Sequence, residues 1–566
     1  MDISVIGYIV LPIWIFQAVS QLASKSFPSK IATFYHWTIL IVSTLLLFGN
    51  LIIFHYWGIL LNYRAITYLS QPKEVLSSVS TGQIILLILA LALVLFVTIR
   101  LMRKLYVPLP VSIPSTKYTW VFLGFLPLFL LLGIRGGWQK LPINESLVYY
   151  SEKPVLNYAS VNPVWHLAYD ARMALDKNDN PFTTMDPKIA AAEMTAWRNQ
   201  QSDSFPKILT INRPNVVVII LESFTADIVA GLGGESGITP NLDSLIQHGL
   251  LFENIYSTGF RTDQGIVSVL NGWPATPFHS IIRSEDKCSR LPSIGQTFSK
   301  NGYSTTFYYG GESNFSNLNS YVRAQGFQTL VDGSFFDDAA ARGQWGVHDQ
   351  AVLLRQLDDL DKLHQPFFST VVTLSNHEPF DVPPPVRFSG EDQSSKFRNA
   401  AAYTDASLGI YFEQAAKKNW FKNTLFVLVA DHAHELPQHK NIIYPEGRRI
   451  PLLFYGPALS ASFQGTRCSK LGGHQDLPVT LLKQLSWPID GYGWSKNLLD
   501  QAAPSSAYLP IETYLGWVCE KGWLLWSVQQ KRIVEHSKGW KVSDNDTETI
   551  RARAFMQQQY DEYLKY

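Results

Sequence analysis

Two apolar, β-branched runs in the chain each end in residues that bind metal ions. The run NVVVIIL, over Asn215–Leu221, leads directly into Glu222, and the run TLFVLVA, over Thr424–Ala430, leads into Asp431 and His432. Both runs have the composition of buried parallel strands. In open α/β sheets, ligands gather at the carboxyl ends of the strands. Two carboxylates and one imidazole at such an edge predict a site for a divalent cation, and Mn²⁺, Mg²⁺ and Zn²⁺ are all compatible with it.

Each of these features has a simpler explanation when it is taken alone. Glu222 could be a helix N-cap or a surface acid, and Asp431 with His432 could be a polar loop. Their equivalent positions after two strands favour a shared site.

A hydroxyl nucleophile is predicted between the two strands, in the segment GFRTDQGIVSVL. Thr262 directly precedes an apolar, helix-like stretch, so its hydroxyl would face the positive end of a helix dipole. A bound cation would lower the pKa of that hydroxyl further, which is how a weak nucleophile is prepared for attack on phosphorus. The alternative is that Thr262 only caps the helix.

The rest of the region has the pattern of an α/β fold. Short apolar runs at 305–309, 367–374 and 451–455 alternate with amphipathic segments. This alternation predicts a mostly parallel sheet with helices on both faces.

Seven strings in this region carry a resemblance to a known family. LESFTAD, GITPNLDSL, GFRTDQG, FYYGGESNFSN, TLSNHEPFDVP, VADHAHELP and RIPLLFYGP follow one another between positions 215 and 485. In this order they resemble the lipoteichoic acid synthase family, which are phosphoglycerol transferases of the sulfatase-like alkaline phosphatase superfamily. The resemblance implies an alkaline-phosphatase-like α/β domain behind a multi-span N-terminal part.

The resemblance also implies roles for individual residues. One divalent ion, usually Mn²⁺ or Mg²⁺, would be bound by Glu222, Thr262, Asp431 and His432. Thr262 would form a covalent phosphoglycerol intermediate. His377, in SNHEPF, matches the histidine that contacts the substrate phosphoglycerol.

One stretch departs from the Gram-positive members of the family. Those members grip the headgroup with an aromatic residue and an arginine after the strand that corresponds to TTFYY. Here the stretch reads GGESNFSNLN, so Phe315 replaces the aromatic residue and Asn317 stands at the arginine position. The stretch is more similar to the Gram-negative branch, and the acceptor and the headgroup stay open. Arg261, Asn314 and Phe315 join His377 as candidate substrate-binding residues.

Several further polar residues are weaker candidates, because each has an equally good structural explanation. They are Glu312, the QWGVHDQ residues Trp345, His348 and Asp349, then His434, and finally His474 and Asp476 in GGHQDLPVTLL, where helix capping is the first explanation.

The leading hypothesis is transfer of phosphoglycerol from phosphatidylglycerol to a hydroxyl acceptor. The acceptor could be a glycan, a glycolipid, a glycerophosphate polymer or water, and with water the protein would be a phosphodiesterase. A true sulfatase needs Cys or Ser followed by Pro and Arg, which TDQGI lacks. A phosphoethanolamine transferase usually has several disulfides, and Cys288, Cys468 and Cys519 are scattered. An inactive membrane scaffold would be expected to have lost one of the four ligands.

The N-terminal quarter predicts a membrane domain. Only 16% of the 566 residues are charged, 13% are aromatic, and the net charge of +1 gives no reason to expect a nucleic-acid partner. Four runs without Lys, Arg, Asp or Glu, at 3–22, 36–61, 83–99 and 118–134, are each close to the length of a spanning helix. The first contains Pro12 and Gln17, so an interfacial helix is the alternative there.

The positive-inside rule orients these helices. The third loop, with Arg100, Arg103, Lys104 and Lys117, and the first loop, with Lys25 and Lys30, would be cytoplasmic. The chain after the fourth span is then extracytoplasmic, and periplasmic in a Gram-negative cell. The predicted organisation is a transmembrane domain at 1–134, a connector at 135–214, a catalytic domain at 215–503 and its C-terminal subdomain at 504–566. The oligomeric state stays open.

Overall fold

The computed structural model describes residues 1–22, 29–57, 60–67, 80–105, 116–138, 143, 154–175, 180–278, 280–283, 285–313 and 318–566. The chain divides into two compact units, Met1–Asp179 and Asn180–Tyr566.

The first unit is helical. Its helices within the described ranges are α1 (Asp2–Leu22), α2 (Ser29–Trp57), α3 (Tyr63–Thr67), α4 (Thr81–Leu105), α5 (Lys117–Arg135), α6 (Pro154–Ser160) and α7 (Pro163–Leu175). Four of them, α1, α2, α4 and α5, are long and apolar enough to cross a membrane. The prediction of four apolar N-terminal helices is confirmed.

Helix α1 lies antiparallel along α5. The Ser4 hydroxyl donates to the carbonyl oxygen of Ile134 at 2.8 Å, and the Trp14 indole N–H donates to that of Leu123 at 2.9 Å. Gly7 allows this approach, because a Cβ at that position would lie 2.8 Å from the Ile134 side chain. Small residues permit such close packing between helices in lipid. Packing along a predicted span favours a spanning α1 over an interfacial one.

Replacing Gly7 by valine should separate α1 from α5. We expect Gly7→Val to cost about 1–3 kcal/mol, as overpacking usually does, and to lower the Tm of the detergent-solubilised protein. Gly124→Val in α5 is the matched control, since a Cβ at Gly124 meets no atom within 4 Å. Equal Tm values for the two variants would show that the α1–α5 contact is not tight.

The second unit is built on an eight-stranded sheet. Its strands are β1 (Asn215–Leu221), β2 (Leu250–Tyr256), β3 (Ser304–Tyr309), β4 (Thr329–Val331), β5 (Phe367–Val372), β6 (Thr424–Ala430), β7 (Arg449–Tyr455) and β8 (Thr466–Gly473). Their order is β4-β3-β5-β1-β6-β7-β2-β8, and only β7 runs antiparallel to its neighbours. The central strands β5, β1 and β6 are buried along their full length. The predicted mostly parallel sheet is confirmed.

Helices connect and cover these strands. They are α8 (Pro187–Arg198), α9 (Pro240–Ile246), α10 (Thr262–Asn271), α11 (Glu285–Cys288), α12 (Ile294–Lys300), α13 (Leu318–Ala324), α14 (Asp349–Leu360), α15 (Gln393–Ala415), α16 (Leu477–Gln484) and α17 (Thr547–Lys565).

A second sheet, which the sequence analysis did not predict, follows the first. It is antiparallel, in the order β12-β11-β10-β9, with strands β9 (Ser506–Ile511), β10 (Tyr514–Cys519), β11 (Gly522–Ser527) and β12 (Arg532–His536). Its first two hairpins turn at Glu512-Thr513 and Glu520-Lys521. These are not the Asn-Gly or Asp-Gly turns that identify a hairpin in a sequence. Helix α17 packs on this sheet, with the rings of Phe555 and Trp517 5.7 Å apart.

Candidate active site

The register of β1 and β6 brings the predicted ligands together. Leu221 pairs with Ala430, so the next residues, Glu222 and Asp431, leave the sheet side by side. Glu222, Asp431 and His432 each offer a ligand atom, and these atoms lie within 4.8 Å of one another. All three side chains are buried. The side chains of adjacent parallel strands therefore form one compact cluster.

The imidazole of His432 is oriented for metal binding. Its Nδ1 lies 2.9 Å from the carbonyl oxygen of Ala433 and must donate to it, since a carbonyl only accepts. Its Nε2 faces Glu222 Oε1 and Asp431 Oδ2, each at 3.5 Å. The lone pair of Nε2 thus points into the carboxylate cluster in the neutral tautomer.

The electrostatics of the cluster fit a divalent cation. Burial raises the pKa of Glu222, but the hydrogen bond and charge of His432 outweigh burial and hold that pKa below its usual value. Burial and the Glu222 charge raise the pKa of Asp431. Burial lowers the pKa of His432, yet the charges of Asp431 and Glu222 prevail and raise it. Asp431 Oδ2 is also buried without a hydrogen-bond partner. An unpaired oxygen among crowded negative charges is the environment that a cation completes.

Thr262 is the first residue of α10 and joins this cluster. Arg261, and not Thr262, is the N-cap of the helix, and the Thr262 hydroxyl donates to Glu222 Oε2 at 2.9 Å. The capping explanation of Thr262 is therefore wrong. Gly265 lets α10 approach the end of β6, since a Cβ there would lie 2.2 Å from the carbonyl oxygen of Asp431. The hydroxyl is held against the cluster at the positive end of a helix dipole.

His377 lies on the loop after β5, the strand that pairs with β1 on the side opposite β6, and it borders the cluster. Asn376 beside it donates to the carbonyl oxygen of Glu222 at 3.2 Å. The His377 Nδ1 donates to the carbonyl oxygen of Glu378 at 2.9 Å, which leaves Nε2 as the outward nitrogen. The Trp345 indole N–H donates to the same oxygen at 2.6 Å, and its ring lies 4.2 Å from the His377 ring. Trp345, a weak candidate in the sequence, thus orients His377.

The remaining predicted substrate residues have different outcomes. The Arg261 guanidinium lies 5.4 Å from the centre of the Phe260 ring, next to Thr262 in the chain. Glu312 follows β3 and is exposed. Asn314 and Phe315, with Asn317, lie outside the described residues.

Two of the weaker candidates support the loop that carries His377. Asp349 begins α14, and its Oδ1 accepts the backbone N–H groups of Leu374 at 2.6 Å and Ser375 at 3.1 Å. His348 Nδ1 lies 3.3 Å from the Ser375 hydroxyl. His434 accepts the Leu436 N–H through Nδ1 and is stacked on Phe397, outside the metal cluster. These residues shape the loop and do not face the predicted cation.

His474 connects the end of β6 to the segment before Thr262. Its Nε2 accepts the Thr258 backbone N–H at 3.2 Å, so Nδ1 carries the proton that faces the carbonyl oxygen of Ala430 at 3.4 Å. Burial lowers the pKa of His474 to about 3, which keeps the ring neutral. Asp476 caps its own segment by accepting the Gly473 N–H at 2.9 Å. Capping thus accounts for Asp476, whereas His474 is a bridge.

Sequence reasoning missed the residues that hold the carboxylates in place. Ser223 has a left-handed backbone with φ of 58°, and it donates through its N–H to Asp431 Oδ1 and through its hydroxyl to Glu222 Oε1, both at 2.9 Å. The Thr373 hydroxyl accepts the Glu222 N–H at 2.8 Å. A strained non-glycine residue of this kind is typical of functional sites. The available signal was position, because each residue directly follows a strand end or a ligand.

Comparisons with known proteins agree with this geometry. The sulfatase family model matches residues 214–486. A protein of the alkaline phosphatase superfamily from Vibrio parahaemolyticus superposes with a TM-score of 0.58 at 25% identity, over 68% of this chain and 98% of that one. Residues 214–486 therefore resemble the catalytic domain of the sulfatase family. The lipoteichoic acid synthase LtaP from Listeria monocytogenes has the same fold, with a TM-score of 0.54 at 17% identity over 66% of this chain and 98% of that chain.

Two curated relatives each match just under half of this chain. Phosphoglycerol transferase I of Xanthomonas euvesicatoria pv. vesicatoria is 26% identical over 289 residues, 48% of this chain and 41% of that protein. Lipoteichoic acid synthase 1 of Bacillus subtilis is 25% identical over 294 residues, 47% of this chain and 45% of that protein. The chain therefore spans less than half the length of these relatives.

Removing the Asp431 charge should weaken metal binding at the cluster without unfolding the domain. We expect Asp431→Asn to weaken Mn²⁺ binding by roughly 100-fold or more, since even residues that only support ligands contribute 10- to 100-fold. The metal-free variant should be at least as stable as the metal-free parent, because one of two buried like charges is gone. Titration calorimetry and Tm measure both effects. Glu312→Gln, which removes an exposed acid, is the control, and equal Mn²⁺ affinity in both variants would contradict the site.

Acid should destabilise the domain partly through His474. Its pKa in the folded protein is about 3, below the ordinary 6.5, so the unfolded chain gains a proton that the folded chain does not as pH falls below 6.5. His474→Gln keeps one donor and one acceptor but does not titrate. Between pH 7.5 and 5.5 the parent should lose about 1 kcal/mol more stability than the variant. Parallel Tm curves across this pH range would show that His474 does not contribute.

Proposed function

We propose that the protein is a membrane-bound, metal-dependent transferase that moves phosphoglycerol from phosphatidylglycerol to a hydroxyl acceptor. The observation that carries the proposal is the Thr262 hydroxyl, bonded to Glu222 at the start of a helix and beside Asp431 and His432. The name of one curated relative, phosphoglycerol transferase I, supports the phosphoglycerol headgroup.

The donor set would hold one divalent cation through Glu222, Thr262, Asp431 and His432. Oxygen ligands predominate in this set, which favours Mn²⁺ or Mg²⁺, with Zn²⁺ as the alternative. A cation bound there would lower the pKa of the Thr262 hydroxyl and offset negative charge on the phosphoryl oxygens.

The chain's own residues account for the two transfer steps. In the first, Thr262 Oγ1 forms a bond to phosphorus, the bond from phosphorus to the diacylglycerol oxygen breaks, and the threonine proton is delivered overall to that oxygen. In the second, the acceptor oxygen displaces Thr262 and returns a proton to it. Glu222 accepts the hydrogen bond that orients Thr262, and the α10 dipole favours the anionic phosphate at Thr262. His377 would contact the phosphoglycerol through Nε2.

The rival chemistries fit these residues less well. The nucleophile position holds Thr262 in the sequence TDQGI, which is not the Cys/Ser-x-Pro-x-Arg sequence of a sulfatase. Cys288, Cys468 and Cys519 are all free thiols, in contrast to the disulfide-rich phosphoethanolamine transferases. Water in place of the hydroxyl acceptor would make the same site a phosphodiesterase.

The membrane anchor supports a lipid donor. The four long apolar helices, with Arg103 and Lys104 at the end of α4 and Lys117 at the start of α5, support an extracytoplasmic catalytic unit by the positive-inside rule. Phosphatidylglycerol would then lie in the membrane that anchors the enzyme, which raises the local concentration of the donor.

The test is turnover of headgroup-labelled phosphatidylglycerol by the full chain in detergent with Mn²⁺. We expect diacylglycerol release, and a labelled adduct on the peptide that contains Thr262 when no acceptor is added. Thr262→Ala should lower turnover by at least about 10³-fold and form no adduct, because loss of a nucleophile removes the covalent route. Thr262→Ser is the matched variant that keeps a hydroxyl and should keep measurable turnover. Full activity in Thr262→Ala, or release unaffected by a chelator, would refute the proposal.

A further inference from the structure

Arg448 is a buried cation that the mechanism above does not use. Its side chain is 1% exposed, directly before β7, and burial lowers its pKa to about 9. It forms no ion pair with any carboxylate in the part of the chain that the structure describes. Burying an unpaired charge is unfavourable, so a sequence that keeps one needs its hydrogen bonds for a specific purpose.

The bonds of Arg448 converge on residues 257–260, the nucleophile loop, which leads into Arg261 and Thr262. Its Nη1 donates to the carbonyl oxygens of Thr258 at 3.1 Å and Gly259 at 2.9 Å. Its own carbonyl oxygen accepts the Ser257 N–H at 2.8 Å, and its guanidinium lies 5.5 Å from the centre of the Phe260 ring. Every residue of the loop therefore contacts Arg448.

The other donors of the guanidinium bond two further segments, one six residues earlier in the chain and one in the second sheet. Nε donates to the carbonyl oxygen of Ile442 at 2.6 Å, and Nη2 donates to that of Pro510, in β9 of the second sheet, at 3.2 Å. Only the planar fork of arginine offers donors in these three directions at once, whereas a lysine offers one nitrogen. Arg448 thus ties the nucleophile loop to rigid parts of the fold.

We propose that Arg448 is a positioning residue that sets the place of Thr262 by holding the nucleophile loop through its carbonyl groups. This proposal rests on Thr262 being the nucleophile of the proposed function. A displacement of about 1 Å in a reacting group can cost 10²-fold in rate, so loss of the fork should affect the chemical step more than binding.

The neighbouring Arg449 provides a matched comparison. It donates to the backbone carbonyl oxygens of Glu253 at 2.9 Å and Leu232 at 3.1 Å, and neither residue belongs to the nucleophile loop. Arg449→Met removes the same number of atoms and the same charge from the adjacent position. Arg449 is half-buried, whereas Arg448 is buried. If Arg448 acted only by bonding backbone carbonyls at this end of β7, the two variants would behave alike.

The experiment compares Arg448→Met, Arg448→Lys and Arg449→Met in the full detergent-solubilised chain. Hydrogen exchange by mass spectrometry reports on the amides of Ser257, Thr258 and Phe260, which are hydrogen-bonded in the intact loop. Metal-dependent cleavage of an aryl phosphodiester gives kcat and KM without the lipid headgroup, and calorimetry gives the Mn²⁺ affinity.

For Arg448→Met we expect at least tenfold faster exchange in the nucleophile loop and a kcat lower by about 100-fold. KM and Mn²⁺ affinity should stay within about threefold, since binding is affected less than the chemical step. Arg448→Lys should recover less than a tenth of the lost kcat, because charge without the fork does not restore the loop. Arg449→Met should match the parent in loop exchange and kcat. If Arg448→Met unfolds, as faster exchange throughout β1 and β6 would show, Arg448→Lys decides.

Three results would overturn the proposal: unchanged loop exchange in the folded variants, full rescue of kcat by lysine, or equal losses in Arg448→Met and Arg449→Met. Failure of the proposed function would look different. The parent would then cleave no phosphatidylglycerol, while loop exchange, which needs no substrate, would still report on Arg448.

Discussion

Glu222 and Asp431 lie side by side at the carboxyl ends of β1 and β6. Both side chains are buried, so the repulsion between their negative charges is poorly screened by solvent. The surrounding structure is arranged to hold them together. Ser223 adopts a left-handed backbone to bond both carboxylates, and His432 lies against both with its Nε2. A cation would relieve the remaining repulsion. Without a cation, the free energy gained by burying the large hydrophobic core of the sheet offsets the repulsion between the two carboxylates.

Thr262, the proposed nucleophile, is positioned by elements that come from distant parts of the chain. Gly265 lets α10 touch the backbone of Asp431, and His474 links Ala430 to Thr258. Arg448 fixes the same loop from its other side and connects it to the second sheet. Each of these three contacts joins residues that are more than a hundred positions apart in the sequence. The position of Thr262 therefore depends on the fold of the whole catalytic unit.

The same arrangement shows how one fold could serve different acceptors. Glu222, Asp431 and His432 follow the central strands and Thr262 begins α10, whereas His377 and Trp345 lie on loops at the side of β5. Groups that are fixed to strands or a helix and groups that lie on loops can change separately. Residues 314–317, which depart from the Gram-positive pattern, follow β3 in the sequence.

The sequence by itself predicted the four apolar helices, the five strands at 215–221, 305–309, 367–374, 424–430 and 451–455, and the clustering of Glu222, Asp431 and His432. The structure ends the third of these strands at Val372. Continuous β-branched runs have only one favourable environment, and residues that follow parallel strands meet at one edge. Only the tertiary structure decided that Thr262 bonds Glu222 and does not cap its helix, and that His474 and Arg448 hold the loop before it. Those contacts depend on side chains that reach backbone groups far away in the chain, and no local pattern records which carbonyl a buried arginine or histidine will meet. The second sheet was missed for a related reason, since its hairpins close through tertiary packing on α17 and not through a recognisable turn sequence.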